Sequence, residues 1–239
     1  MLFLAFILAS FTGAFAQQRV VDVSNGDHNI GPSSFFTVAG TPFVSEKYVR
    51  LVEGTPYFRN EWMKGVLVGE KGQEYKGYDV KLNLHDPQIL YKDEKGNELI
   101  ATTRIKEVVL TDAFGGNYKF IHSSFMPVTA SPLKEGWYQW LVSGTGSLYK
   151  YYNKTLNEQK PYNSATFEQR ISTKETYLVH VNNAFLEIKK LKDAPEVLAF
   201  KKAELEDFLK NKDDKKAGMD DRFAALIEYY NSLTAKEKK

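Results

Sequence analysis

His28, His85, His122 and His180 are the four imidazoles of the chain, and they stand on separate segments with no i, i+4 pair and no HExxH-like spacing. A zinc site needs three or four ligands converging on one ion, so these four could serve only if folding assembled them; the spacing predicts no metal centre. His85 next to Asp86 ends an alternating run at a Pro-marked turn, which is the setting of a surface imidazole. No Gly-x-Ser-x-Gly and no Ser-x-x-Lys opening a helix is present, so no serine nucleophile is assigned. Ser143-Gly144-Thr145-Gly146 carries the glycines of a phosphate loop. A phosphate cradle needs the free N–H groups of a helix behind it, however, and the following SLYKYY reads as a strand, so the expectation is a hairpin turn. The acids cannot be sorted into a glycosidase pair, because such a pair is defined by its separation in space. Catalytic residues, metal ligands and cofactors therefore stay unassigned, and the sequence favours a non-enzymatic protein.

The aromatics are the one enrichment with binding potential, at 33 of 239 residues. Trp137, Tyr138, Trp140, Tyr149, Tyr151 and Tyr152 fall on one expected hairpin, where Tyr138 and Trp140 share a face and Tyr149 and Tyr151 share a face of the neighbouring strand. Such a row could stack on a sugar ring or another flat ligand, which makes Trp137, Tyr138, Trp140, Tyr149 and Tyr151 the candidate binding residues. The competing expectation is that these rings fill the sheet core, since aromatics favour strands in any case.

What must position such residues is a sheet. Tyr78, Val80, Leu82 and Leu84 hold one parity and Asp79, Lys81, Asn83 and His85 the other, the period-two signature of a strand with one buried face. Similar runs continue to Lys189 at intervals of about 8–12 residues, with turn residues between them and no intervening helices. Glu70–Glu74 and Glu94–Glu98 read EKGQE and EKGNE, two hairpin tips with Gly where positive φ is needed. Residues 17–60, rich in Gly, Pro, Ser and Asn, read as an irregular leader with short strands at the apolar bursts Val20–Val23, Phe35–Val38 and Tyr48–Val52. After Lys189 the period changes to that of amphipathic helices. One carries Leu198, Leu205, Phe208 and Leu209 behind Asp193 and Pro195; the other carries Phe223, Leu226, Ile227 and Tyr230 behind Asp220 and Asp221.

The expected architecture is mainly β in the α+β sense: an antiparallel meander over 61–190 forming a curved sheet, half-barrel or sandwich, with two C-terminal α-helices in 191–239 packed on it. Leu2 to Ala16 is an apolar run ending in Ala14-Phe15-Ala16, a signal peptide over 1–16 with cleavage before Gln17. That predicts export to the periplasm or beyond, with no membrane span once the peptide is removed. Cysteine is absent, so disulfides, thiolate metal sites and lipidation of a processed Cys are excluded, and the core must hold by burial. With 32 basic and 30 acidic residues the net charge is only +2, a balance that argues against nucleic acid as partner, since neutralising phosphates needs a clustered basic surface. Strands this rich in Lys and Glu also lack the lipid-facing bands of an outer-membrane barrel.

The segments GTPYFRNEWMKGVLVGEKGQEYKGYDVKLNLHDPQILYKDEKGNELI, GWYQWLVSGTGSLYKYYNKTL and PYNSATFEQRISTKETYLV, with LIEYYNSL near the end, resemble a set of uncharacterised exported β-rich proteins of Bacteroidota-type Gram-negative bacteria, over Gly54 to Leu233. The resemblance implies export and the β-then-α order, and carries over no catalytic residue. The expectation is an exported, non-enzymatic β-scaffold of the cell envelope that binds an envelope component, a glycan or an apolar ligand. Two alternatives stand beside it: a periplasmic half-barrel carrier of lipid or lipoprotein, and a hydrolase of cell-wall or polysaccharide substrates.

Overall fold

The computed structural model describes residues 37–43, 47–129, 133–163 and 165–237. The processing site at Ala14, Ala16 and Gln17, His28 and the burst Val20–Val23 lie outside them. Twelve strands form one sheet among the described residues: β1 (Gly40–Pro42), β2 (Leu51–Glu53), β3 (Met63–Gly69), β4 (Glu74–Asn83), β5 (Gln88–Lys92), β6 (Glu98–Ala101), β7 (Ile105–Thr111), β8 (Asn117–His122), β9 (Trp137–Val142), β10 (Ser147–Gln159), β11 (Glu168–Val181) and β12 (Ala184–Ile188). Their order is β1-β6-β5-β4-β3-β7-β8-β9-β10-β11-β12, and β2 lies parallel to the start of β11. The architecture is a single curved antiparallel sheet rather than two sheets face to face. Within the leader, β1 falls at Gly40–Pro42, just beyond the burst at Phe35–Val38, and β2 falls at the end of the burst Tyr48–Val52.

Curvature follows from one short link. β6 ends at Ala101 and β7 starts at Ile105, yet the order β6-β5-β4-β3-β7 places four ladders between them. In a flat sheet four strand spacings amount to about 19 Å, whereas the four steps from Ala101 to Ile105 reach at most about 14 Å. Strands β3 to β7 must therefore curl until β6 returns over the start of β7. The face turned inward is filled: Leu67, Val80, Leu82, Val108, Leu110 and Phe120 are each 0% exposed, and Met63, Ile89, Tyr91 and Ile105 pack with them. The segment around Pro56 straps the open side, with Phe58 N–H donating to Leu82 O at 2.8 Å and Leu84 N–H to Pro56 O at 2.8 Å.

Three hairpins of this curl share one construction. Gly69 N–H donates to Gln73 O at 2.8 Å, Asp93 N–H to Asn97 O at 3.1 Å and Asp112 N–H to Gly116 O at 3.0 Å. The fourth residue of each is Gly72, Gly96 or Gly115, at φ of 82°, 80° and 84°. This is the three-residue hairpin in which a turn ends on a left-handed residue, and Gly takes that conformation without the Cβ penalty. The repeat legible as EKGQE and EKGNE thus has a third member in AFGGN, hidden because only the backbone pattern is shared.

β10 and β11 run further than hydropathy suggests, pairing continuously from Ser147↔His180 to Gln159↔Glu168. β11 is one strand although alternation lapses in its middle, because Ser172 to Glu175 keep the ladder while exposing their side chains on both faces. On the inner face of this half, Leu148, Tyr177, Val179, Val181 and Ile188 are covered by three helices, α1 (Ala194–Leu198), α2 (Lys202–Asn211) and α3 (Met219–Glu237). The helices cover a sheet face, not an edge or a mouth, because their stripes of Leu198, Leu205, Phe223, Leu226, Ile227 and Tyr230 need an apolar face to bury against. The stripe expected to be one helix is split at Ala199 and Lys201, which adopt left-handed φ of 53° and 50° and let α1 turn against β12 before α2 begins.

Candidate functional site

The strand register decides where the five candidate aromatics go. Tyr138 pairs with Tyr151 and Trp140 with Tyr149, so these four share one face, the outer one. They form two stacked pairs, with ring centroids 4.7 Å apart for Tyr138–Tyr151 and 5.8 Å for Trp140–Tyr149. They do not form an open platform. The β8–β9 link folds over them, bringing Met126, Leu133 and Phe125 against the rings, and Tyr138 and Tyr149 are only 1% and 5% exposed. Their polar ends are partly engaged as well: Tyr138 Oη donates to Lys134 O at 3.0 Å and Trp140 Nε1 to Val142 O at 2.9 Å. Burial, with the neighbouring Tyr151 adding to it, pushes the Tyr138 hydroxyl pKa up. Trp137, one residue from Tyr138, points to the opposite, inner face and joins the core of the curl.

That inner position gives Trp137 a different neighbourhood. Where the Thr102–Arg104 link closes the curl, a cleft of about 200 Å³ opens between β5 and β6 on one side and β7, β8 and β9 on the other. Ile89, Ala101, Ile105, Phe125 and the Trp137 ring make its apolar wall, and Thr103, Arg104, His122 and Ser124 supply its polar groups, with Pro87 and Gln88 at the rim. Arg104 is the one charged residue of the lining. Its guanidinium lies 5.3 Å from the centre of the Phe125 ring and pairs at 3.2 Å with Glu70, with the Arg104 side chain 67% exposed. An exposed pair of this kind contributes little, about 0–1 kcal/mol, and exchanges readily.

His122 and Trp137 are cross-strand partners with rings 5.0 Å apart, edge to face. The Ser124 backbone N–H donates to His122 Nδ1 at 3.3 Å, and Ser124 Oγ lies 2.9 Å from the same nitrogen. An amide N–H can only donate, so Nδ1 holds the lone pair and the neutral ring carries its proton on Nε2. Burial pushes the His122 pKa below its ordinary value; Glu135 opposes this and Arg104 adds to it. The neutral ring is therefore the stable form at neutral pH, with Nε2–H as a donor. Trp137 is 4% exposed and its Nε1–H is buried without an acceptor. A buried donor left in that condition costs about 1–3 kcal/mol.

The other histidines stay apart. His85 Nδ1 lies 3.0 Å from Lys154 O at the strap, and His180 sits on β11 beside the Phe185 ring with Nε2 buried and unpartnered. Among the described residues no group of three or more His, Asp or Glu could hold a metal ion, and no helix is long and apolar enough to cross a membrane. Ser143–Gly146 joins β9 to β10 as a turn, with Gly146 N–H donating to Asn231 Oδ1 of α3 at 2.7 Å. Sequence reading set His122 aside as a lone imidazole and did not reach Arg104 or Ser124; His122 meets Trp137 across the β8–β9 pair, but Arg104 joins them only through the curl, and the three-residue link after β6 was the signal that could have placed it there. No protein-family model, curated protein or solved structure matches this chain.

Proposed function

We propose that the chain is an exported, non-enzymatic β-scaffold of the cell envelope and that it binds its ligand or envelope partner at the cleft where the curl closes. The observation that carries the reading is the contrast between a filled interior and a small polar mouth. The inner face is packed with Leu67, Leu82, Leu110 and Phe120, whereas the mouth collects Arg104 and His122 over the Trp137 ring, whose N–H is buried without an acceptor. A carrier of acyl chains calls for an apolar hollow, and here side chains occupy that volume. A polysaccharide hydrolase calls for two carboxylates about 5–9.5 Å apart across a cleft, and no Asp or Glu lines this one. Export rests on Leu2–Ala16 with Ala14 and Ala16 at the small positions, and the resemblance to exported β-rich proteins of Bacteroidota-type bacteria points to the same address.

The purified chain should co-sediment saturably with isolated envelope fragments, releasing no soluble sugar and yielding no lipid on solvent extraction. Released sugar would replace the scaffold by the hydrolase, and stoichiometric lipid would replace it by the carrier. Terminal sequencing of the protein recovered from an expressing Gram-negative host should begin at Gln17; an intact Met1 in the cytoplasmic fraction would refute export.

A further inference from the structure

We infer that the cleft is a seat for a carboxylate carried on a short aliphatic stub: Arg104 provides the countercharge, His122 Nε2–H and Trp137 Nε1–H the neutral donors, and Ile89, Ala101 and Ile105 the wall for the stub. This deepens the binding reading above and rests on it. The chemistry of the lining selects the class. It offers donors and one cation but no acid, so it favours an acceptor-only, singly charged group. A carboxylate meets a guanidinium in a two-bond fork and leaves lone pairs for further N–H donors. Phosphate would bring up to two charges to a single cation and lay polar oxygens against Ile89, Ala101 and Ile105. A neutral apolar molecule would leave the Trp137 N–H as unpaired as before.

Size limits the ligand further. At about 200 Å³ the cleft falls below the roughly 300–1,000 Å³ of sites for drug-sized molecules, so it admits an acid of a few carbons or the last residue of a chain. Trp137 belongs to the lining but its N–H is buried, so a carboxylate oxygen reaches it when a lining side chain steps aside. Arg104 can do so, since it is held only by the Phe125 ring and by an exposed pair with Glu70. Exchanging Glu70 for the ligand carboxylate would let Arg104 shift while staying paired, and would bring the acceptor into the cleft.

The test uses the indole N–H resonances of the ¹⁵N-labelled full chain, of which there are three, from Trp62, Trp137 and Trp140. Trp62→Phe and Trp140→Phe assign the Trp137 signal by elimination, without disturbing the buried ring. Sodium butyrate and N-acetyl-Ala-Ala are titrated as a free acid and a chain terminus, with 1-butanol and sodium phosphate as the uncharged and doubly charged comparisons. A saturable shift of the Trp137 signal with at least one carboxylate and with neither comparison supports the seat, and the stronger carboxylate identifies the source. Arg104→Gln should weaken that binding about tenfold, the loss expected for one charge-assisted contact, while the remaining spectrum is unchanged. A Trp137 signal unmoved by both carboxylates, moved equally by butanol, or moved undiminished in Arg104→Gln overturns the inference. If envelope fragments still bind in that event, the carboxylate seat alone is lost; if they do not, the binding reading falls with it.

Discussion

Lys150 Nζ on β10 lies 2.9 Å from Asp220 Oδ1 and 3.1 Å from Oδ2 in the first turn of α3, and 2.9 Å from Glu175 Oε2 on β11. The lysine side chain is 7% exposed and rests between the rings of Tyr152 and Tyr177, 4.8 and 5.5 Å from their centres. Tyr177 Oη also donates to Asp220 Oδ1, at 2.5 Å, and its ring stacks on Phe223 with centroids 4.0 Å apart. One aspartate thus anchors the N-terminal end of α3, the longest helix among the described residues, to two strands, where the helix dipole also favours negative charge. The two partners are unequal: removing Asp220 leaves a buried ammonium with one acid, whereas removing Lys150 leaves acids that water can reach.

Asp220→Ala should therefore destabilise the protein by about 2–3 kcal/mol in urea unfolding, below the 3–5 kcal/mol of fully buried pairs because Asp220 is 39% exposed. Lys150→Met should cost less than half of that. Equal losses for the two variants would refute the asymmetry.

Leu226 on α3 and Leu82 on β4 are both 0% exposed, one in the helix-covered layer and the other in the curl. Truncation of either to Ala should cost about 2–5 kcal/mol. Because β8, β9 and β10 run through one continuous ladder, Leu226→Ala should shift circular dichroism and tryptophan fluorescence together. Separate transitions would show that the helical layer melts by itself.

Gly72→Ala and Gly96→Ala should each cost about 1–2 kcal/mol. A Cβ at either site meets nothing within 4 Å, so the cost is that of left-handed backbone alone. Asn, which tolerates that region, should recover part of the loss in thermal denaturation; an Asn variant no better than Ala would contradict the turn geometry.

Asp112 accepts the Gly116 N–H at 2.8 Å, the Tyr118 hydroxyl at 2.9 Å and Arg59 Nη1 at 2.8 Å, together with the Phe114 N–H. These contacts, the Gly116 amide foremost, hold its pKa at about 2 against an ordinary 3.8. A depressed carboxylate pKa stabilises the fold fully above the unfolded value and loses that contribution as pH falls through the folded one. The stability difference between wild type and Asp112→Asn should be constant from pH 6 to about 4.5 and shrink between about 4 and about 2. A difference independent of pH across that window would exclude the assigned role.

Period-two alternation in residues such as Val80, Leu82 and Leu84 made the strands legible, because a half-buried sheet imposes that pattern locally. The stripe Phe223, Leu226, Ile227 and Tyr230 did the same for α3, and EKGQE and EKGNE marked two hairpins through their glycines. Parity likewise gave the partnership of Tyr138 and Trp140 with Tyr149 and Tyr151. What the alternation cannot carry is closure. A curled sheet and a flat one bury the same parity, so the cover over the four outer rings and the inward turn of Trp137 emerged only with the fold. The cleft is non-local for the same reason: His122 and Trp137 face each other across β8 and β9, but Ile89 and Arg104 join them only because a three-residue link across four ladders forces one mouth. Residue type and spacing therefore determined the secondary structure, its faces and its turns, while curvature, which depends on contacts distant in the chain, decided where polar groups would be left facing one another.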